Sequence, residues 1–123
     1  MSNEVKTTLT PELQHYLEGE KLVLLATIDE DSKPNVNAIS WVKSYSEKKI
    51  RFTVTNNSRI VQNIKRNPQV VFTVIGLGTV YSIHGKANIL EETMEGVNLR
   101  LSKIEVDVEA IYESMFWGAK ITQ

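Results

Sequence analysis

The sequence predicts a small antiparallel β-barrel, a mainly β fold with flanking helices. Three observations carry the prediction. Five apolar or alternating runs of 6 to 12 residues lie between residues 21 and 90, most of them separated by short turn-forming segments. Strands of that kind leave unpaired edges, which closure into a barrel removes. The length, 123 residues, suits one domain over 1–123 and buries about two thirds of its unfolded surface without help from a disulfide or metal.

The elements follow in order. Thr10-Pro11-Glu12 is a helix start: Thr10 caps free amides, Pro11 suits the first helical position, and Glu12 opposes the positive end of the dipole. Leu13, Tyr16 and Leu17 share one face of this helix and Gly19 stops it. Lys21 to Ile28 is too short for a buried helix and runs into the turn formers Asp29 to Pro34, so it reads as a strand buried on both faces. Asn35 to Val42 reads as one strand returning from that turn. Val36, Ala38, Ser40 and Val42 lie on one side of it, and Asn35, Asn37, Ile39 and Trp41 on the other.

Ile50 to Thr55 alternates and turns Ile50, Phe52 and Val54 inward. Ser58 then caps a short helix reaching Lys65, with Ile60, Val61 and Ile64 on its apolar face and Asn67-Pro68 as its stop. Gln69 to Ile75 and Thr79 to Leu90 are the fourth and fifth strands, joined across Gly76-Leu77-Gly78. Met94, Val97, Leu101 and Ile104 recur at helical spacing and predict an amphipathic C-terminal helix, with Glu91-Glu92 as its acidic start. No periodicity places the aromatic segment from Ile111 to Gly118.

Composition excludes several functions. There is no cysteine, hence no disulfide scaffold, thiolate zinc site, iron–sulfur cluster or thiol nucleophile. A net charge of −1 argues against binding nucleic acid through its backbone, and no apolar run is long enough to span a membrane. The cytoplasm is the expected location. Two distant histidines, His15 and His84, do not make a metal site. Charge is unevenly spread: between Lys33 and Arg66 eight basic residues face only Glu47, whereas Glu91 to Glu113 holds seven acids against Arg100 and Lys103. The basic stretch suggests either an anion-binding face or strands and turns that carry lysine for solubility, and the acidic one a solvated helix surface.

The segment Thr53-Val54-Thr55-Asn56-Asn57-Ser58-Arg59 carries the most chemistry. A strand enters a sharp turn and a helix opens at once, so outward amides and the helix dipole favour an anion there. Arg59 adds a permanent cation whose fork matches phosphate. The plainer alternative is that Ser58 caps, Arg59 is solvated and nothing binds. Trp41 and Trp117 suit stacking on a planar ligand or burial in a core.

Five pieces of sequence stand in register over about residues 11–90. They are Ala26-Thr27-Ile28-Asp29-Glu30 with Pro34, Phe52-Thr53, Asn57-Ser58-Arg59, Asn63-Ile64 with Asn67-Pro68, and Gly85-Lys86-Ala87. In these the chain resembles the flavin-binding split-barrel superfamily, whose best-known member is pyridoxamine 5′-phosphate oxidase, and within it the short stress-protein and flavin-reductase-like branch. Phe116-Trp117-Gly118 is similar to the family's C-terminal Phe-Trp segment.

The resemblance implies a homodimeric split barrel with FMN at the subunit interface. It places the phosphate at Asn57, Ser58 and Arg59, the ring and ribityl chain along Asn37, Ala38, Ile39 and Ser40, further contacts at Thr53 and Val54, and Trp117 at the flavin. The protein would supply shape, hydrogen bonds and charge, and the flavin the redox chemistry. Where the family's oxidase has basic residues for the phosphate, this chain has Asn37, Val42 and Ile60, which leaves Lys43 and Arg51 as candidate replacements. It also has no counterpart of the oxidase's terminal Arg-Leu-His-Asp-Arg stretch, so pyridoxamine phosphate oxidase activity is not expected. The expected function is an FMN-dependent oxidoreductase that takes electrons from NADH or NADPH. The alternatives are a non-catalytic carrier, sensor or store for flavin, deazaflavin or haem, and a barrel that has lost its ligand.

Overall fold

A computed structural model describes residues 6–19, 22–40, 42–55, 57–76, 78–91 and 101–113. Along the chain run α1 (Pro11–Glu18), β1 (Val23–Ile28), β2 (Pro34–Ile39), β3 (Val42–Ser46), β4 (Lys49–Thr55), α2 (Arg59–Arg66), β5 (Gln69–Gly76), β6 (Thr79–Glu91) and β7 (Leu101–Glu113). The strands form one antiparallel sheet in the order β2-β1-β5-β6-β7-β4-β3.

Its two outer strands, β2 and β3, are consecutive in the chain, with only residues 40 and 41 between them. Laid flat, seven strands at about 4.8 Å spacing would hold those edges about 29 Å apart. Three residue steps from Ile39 to Val42 reach at most about 11 Å. The sheet therefore curls until its edges meet. The core agrees: Phe52 on β4 meets Phe72 on β5 edge-to-face, with ring centres 5.7 Å apart, although two strands separate β4 from β5 in the sheet. Leu25, Ile50, Ile83, Ile104 and Val106 fill the same interior.

α1 lies across β3. Its start is as expected, with Pro11 in the first turn and the Thr10 hydroxyl accepting from the Leu13 amide at 3.2 Å. Leu13 and Leu17 are buried, the Ser44 hydroxyl donates to the Gln14 carbonyl, and Lys43 donates to that of Glu18. The Tyr16 hydroxyl donates to the Ile75 carbonyl at 2.9 Å, and its ring sits where a Cβ on Gly76 would be, 2.5 Å away. Gly85 has a stricter reason to be glycine. The register of β6 on β7 shifts between His84 and Gly85, and a Cβ there would lie 2.5 Å from Val106 Cγ1 and 2.6 Å from the Asp107 carbonyl oxygen.

Four expectations are corrected. Leu101 and Ile104 belong to β7 and not to a helix, because β7 pairs with β6 on one side and β4 on the other, and this double pairing overrides the helical spacing. Met94 and Val97 lie outside the described residues. The run from Asn35 to Val42 is two strands, since the chain must leave one sheet edge and enter the other. The described residues thus hold seven strands, not five. β1 is buried on alternate residues, with Val23, Leu25 and Thr27 inward, and not on both faces.

Candidate functional site

The corner where β4 turns into α2 is built from local hydrogen bonds. The Ser58 amide donates to the Thr55 carbonyl at 3.0 Å, which closes the turn. The Ser58 hydroxyl accepts from the Val61 amide at 3.3 Å, which caps α2. The first amides of a helix have no partner within it, so those of Arg59 and Ile60 lack intrahelical acceptors. Ile60, Val61 and Ile64 are buried and seat the helix. Asn63, also buried, donates from its side-chain amide to the Thr27 hydroxyl on β1 at 2.9 Å, fixing how far along the sheet α2 sits.

A relay from the β1–β2 turn fixes the Arg59 guanidinium. Asp29 Oδ1 accepts from the amides of Asp31 and Lys33, which shapes the turn and carries Ser32 through φ 61°. Asp29 Oδ2 accepts from Asn35 Nδ2 at 3.0 Å, and Asn35 Oδ1 in turn accepts from Arg59 at 3.1 Å. The Asn35 amide, then the turn amides, hold the Asp29 carboxyl below its ordinary 3.8. Arg59 therefore stands exposed at the start of α2, oriented by Asn35. A cleft of about 270 Å³ opens from it between α2 and the turn.

The other expected site residues flank this corner. Asn37 shares the β2 face of Asn35 by strand alternation and is exposed, as is Ala38 on the opposite face. Ile39 is buried, and Ser40 follows β2 exposed. Thr53 and Val54 are half-buried on β4, opposite Lys103 and Ser102, and lead into the Ser58 turn. Asn57 is exposed in that turn. Trp41 and Trp117 lie outside the described residues. The structure thus joins Arg59, next to the Ser58 cap, to β2 through Asn35.

Lys43 and Arg51, the candidate replacement cations, are engaged away from the corner. Lys43 is bound to the end of α1. Arg51 donates to Glu105 at 2.7 Å and lies 3.5 Å over the Tyr45 ring. Glu105 also accepts from Lys49, which reaches Asp107 as well. Lys49 first, then Arg51, hold the nearly buried Glu105 carboxyl below its ordinary 4.5 against the opposing effect of burial. Asp107 and Glu105 raise Lys49 above 10.5.

Sequence reasoning missed Asn35, Thr27 and Asn63. Asn63 carried a signal, as the one amide among the apolar positions of α2. Asn35 carried one too, six residues after a turn-forming Asp29, but its partners needed three dimensions. A second cleft, of about 200 Å³, lies on the outward side of β1, β5 and β6 and is lined by Ala26, Ile28, Val71 and His84 among others. His84 packs edge-on against Tyr112, and Val36 nearby on β2 is 62% exposed. Among the described residues no group of acids or histidines could hold a metal ion, and no helix is long and apolar enough to cross a membrane.

Residues 9–115 match the family described as pyridoxamine 5′-phosphate oxidase. No curated protein matches the chain. Solved structures share the fold. A candidate pyridoxamine 5′-phosphate oxidase of Lactobacillus delbrueckii superposes with a TM-score of 0.74 at 20% identity, over 87% of this chain and 95% of that one. An F420 reductase gives 0.69 at 22% identity, over 82% and 96%. HutZ, the haem storage protein of Vibrio cholerae, gives 0.66 at 16% identity, over 85% and 94%.

Proposed function

Because this chain belongs to the pyridoxamine 5′-phosphate oxidase family, we propose that it is an FMN-binding oxidoreductase. It works as a homodimer and passes electrons from NADH or NADPH to an acceptor other than pyridoxamine phosphate. The observation that carries this is the Asn35–Arg59 contact at the capped start of α2. The donors there fit a phosphate monoester: a fixed guanidinium, two helix-start amides and the Ser58 hydroxyl. FMN, once bound, supplies the hydride and electron chemistry. The chain's part is to bind and orient. Arg59 and the α2 amides neutralise the phosphate, Thr53 and Val54 shape one wall, and Asn37 to Ser40 border the ring. The outward side of β2, β1, β5 and β6 exposes apolar groups such as Val36, which a second copy would cover.

The test compares FMN with riboflavin by flavin fluorescence and thermal shift. Arg59→Ala is expected to weaken FMN about tenfold or more and riboflavin little, since it removes charge-assisted bonds of about 1.5–3 kcal/mol each. Equal loss for both flavins removes Arg59 from the phosphate. A wild-type protein that responds to neither flavin sinks the proposal.

The apolar cleft with His84 favours a second reading, a non-catalytic store of haem or of a deazaflavin. Haem binding would show as a Soret band that His84→Ala shifts and His15→Ala does not. Deazaflavin binding would show as fluorescence that FMN competes away.

A further inference from the structure

We propose that the cleft between the β1–β2 turn and α2 is a second ligand subsite, and that it takes a phosphorylated ribose. This rests on the flavin reading, which uses Arg59 at one end of the cleft, but the subsite's own residues are Gln62 and Arg66 on α2 with Glu30 and Asp31 on the turn. Arg59, Gln62 and Arg66 are three and then four residues apart, so they share one helix face, and the two arginines stand about 10 Å apart along the axis. One wall of the cleft thus carries two guanidiniums and an amide. The facing wall carries the carboxylates of Asp29, Glu30 and Asp31.

That pairing of walls selects the ligand. A metal ion meets two guanidiniums, and Asp29 already accepts three hydrogen bonds. A bare inorganic anion meets three carboxylates. A ligand that is anionic at one point and donates hydroxyl hydrogens at another satisfies both walls, and a ribose phosphate does this. Guanidinium grips its phosphate in a fork, and carboxylate accepts from its diol, as an acidic residue does in dinucleotide-binding folds. The residues are available for it. Among the described residues Arg66 approaches Glu30, at 3.8 Å, with both side chains about half exposed or more, and such a pair contributes little. A volume of about 270 Å³ falls just below the roughly 300–1,000 Å³ of sites for whole drug-sized ligands, and so suits a sugar phosphate fragment. In the proposed oxidoreductase this is where a nucleotide donor is held by its ribose phosphate, beside the flavin phosphate corner.

ADP-ribose, which carries phosphorylated ribose without a redox ring, is the probe, titrated calorimetrically into the protein with and without FMN. The FMN-loaded protein is expected to bind it saturably. Arg66→Ala should weaken ADP-ribose about tenfold or more while FMN affinity changes less than about twofold. Asp31→Asn should weaken ADP-ribose, while free phosphate, which then meets one carboxylate fewer, binds no more weakly than to the wild type. Both positions are exposed, so unchanged melting temperatures are expected for both variants. No binding to the loaded wild type, equal binding by Arg66→Ala, or displacement of FMN by ADP-ribose overturns the subsite. Arg66-dependent ADP-ribose binding by a protein that never takes FMN would refute the flavin reading and leave the subsite standing.

Discussion

The hydrogen bond between Asn63 and Thr27 tests whether the corner depends on the seating of α2. Both side chains are nearly inaccessible, at 2% and 1%, so neither recovers water if its partner is removed. Thr27→Val leaves the Asn63 amide without its acceptor, and Asn63→Leu leaves the Thr27 hydroxyl without its donor. A buried polar group left without a partner costs about 1–3 kcal/mol, whereas replacing both partners by apolar groups of similar shape is close to neutral. Each single variant should therefore lose about 2 kcal/mol in urea unfolding, and the double variant less than the sum by about 1–2 kcal/mol. Flavin affinity should fall in the single variants, because Arg59 lies one helical turn from Asn63. A double variant whose loss equals the sum of the singles within about 0.5 kcal/mol would refute the coupling.

Glu105→Gln should flatten the acid limb of the stability profile. A depressed carboxyl stabilises fully above its ordinary 4.5, and that contribution is lost as the pH falls below it, so the wild type should lose stability more steeply there in urea titrations at stepped pH. Gly85→Ala should cost about 1–3 kcal/mol or more, since its methyl meets the Asp107 backbone, and Gly76→Ala less, since the Tyr16 ring can swing aside; melting temperatures rank the two. Ser32→Gly should stabilise by up to about 1 kcal/mol in chemical denaturation, by relieving a left-handed conformation that only glycine adopts freely. Lys43→Ala and Arg51→Ala should leave FMN affinity within about twofold in fluorescence titrations, with Arg51→Ala destabilising because Glu105 loses a partner.

The legible parts of the fold are those fixed by short-range chemistry. Thr10 and Ser58 cap their helices as their sequence contexts predict, and Asn67-Pro68 ends α2. The family resemblance, carried by short motifs, predicted the barrel that the family match and the solved structures bear out. What local patterning hid was pairing between distant segments. Nothing near Asn35 announces that Arg59 is its partner, and nothing near residues 40 and 41 announces that they join the two edges of a sheet.

β7 shows the cost of reading one period where two compete. Leu101 and Ile104 fit a helical stripe, yet Ile104, Val106 and Val108 also alternate with Glu105, Asp107 and Glu109, and the β-branched residues belong to the second pattern. Charge decides between them. In a strand, Glu105 stands opposite Arg51 and two residues from Asp107, which stands opposite Lys49. The basic middle of the chain and its acidic end are thus partly two sides of one strand pair, not an anion-binding face and a solvated helix. Once Lys49 and Arg51 are spent on that pairing and Lys43 on α1, the positive charge left beside the candidate site is that of α2 and of Lys33 on the β1–β2 turn. A residual anion site there is smaller and more specific than the sequence count of eight basic residues suggests. In the proposed reading it rests chiefly on Arg59 and Arg66, which is why substitutions at these two positions are expected to separate flavin binding from nucleotide binding.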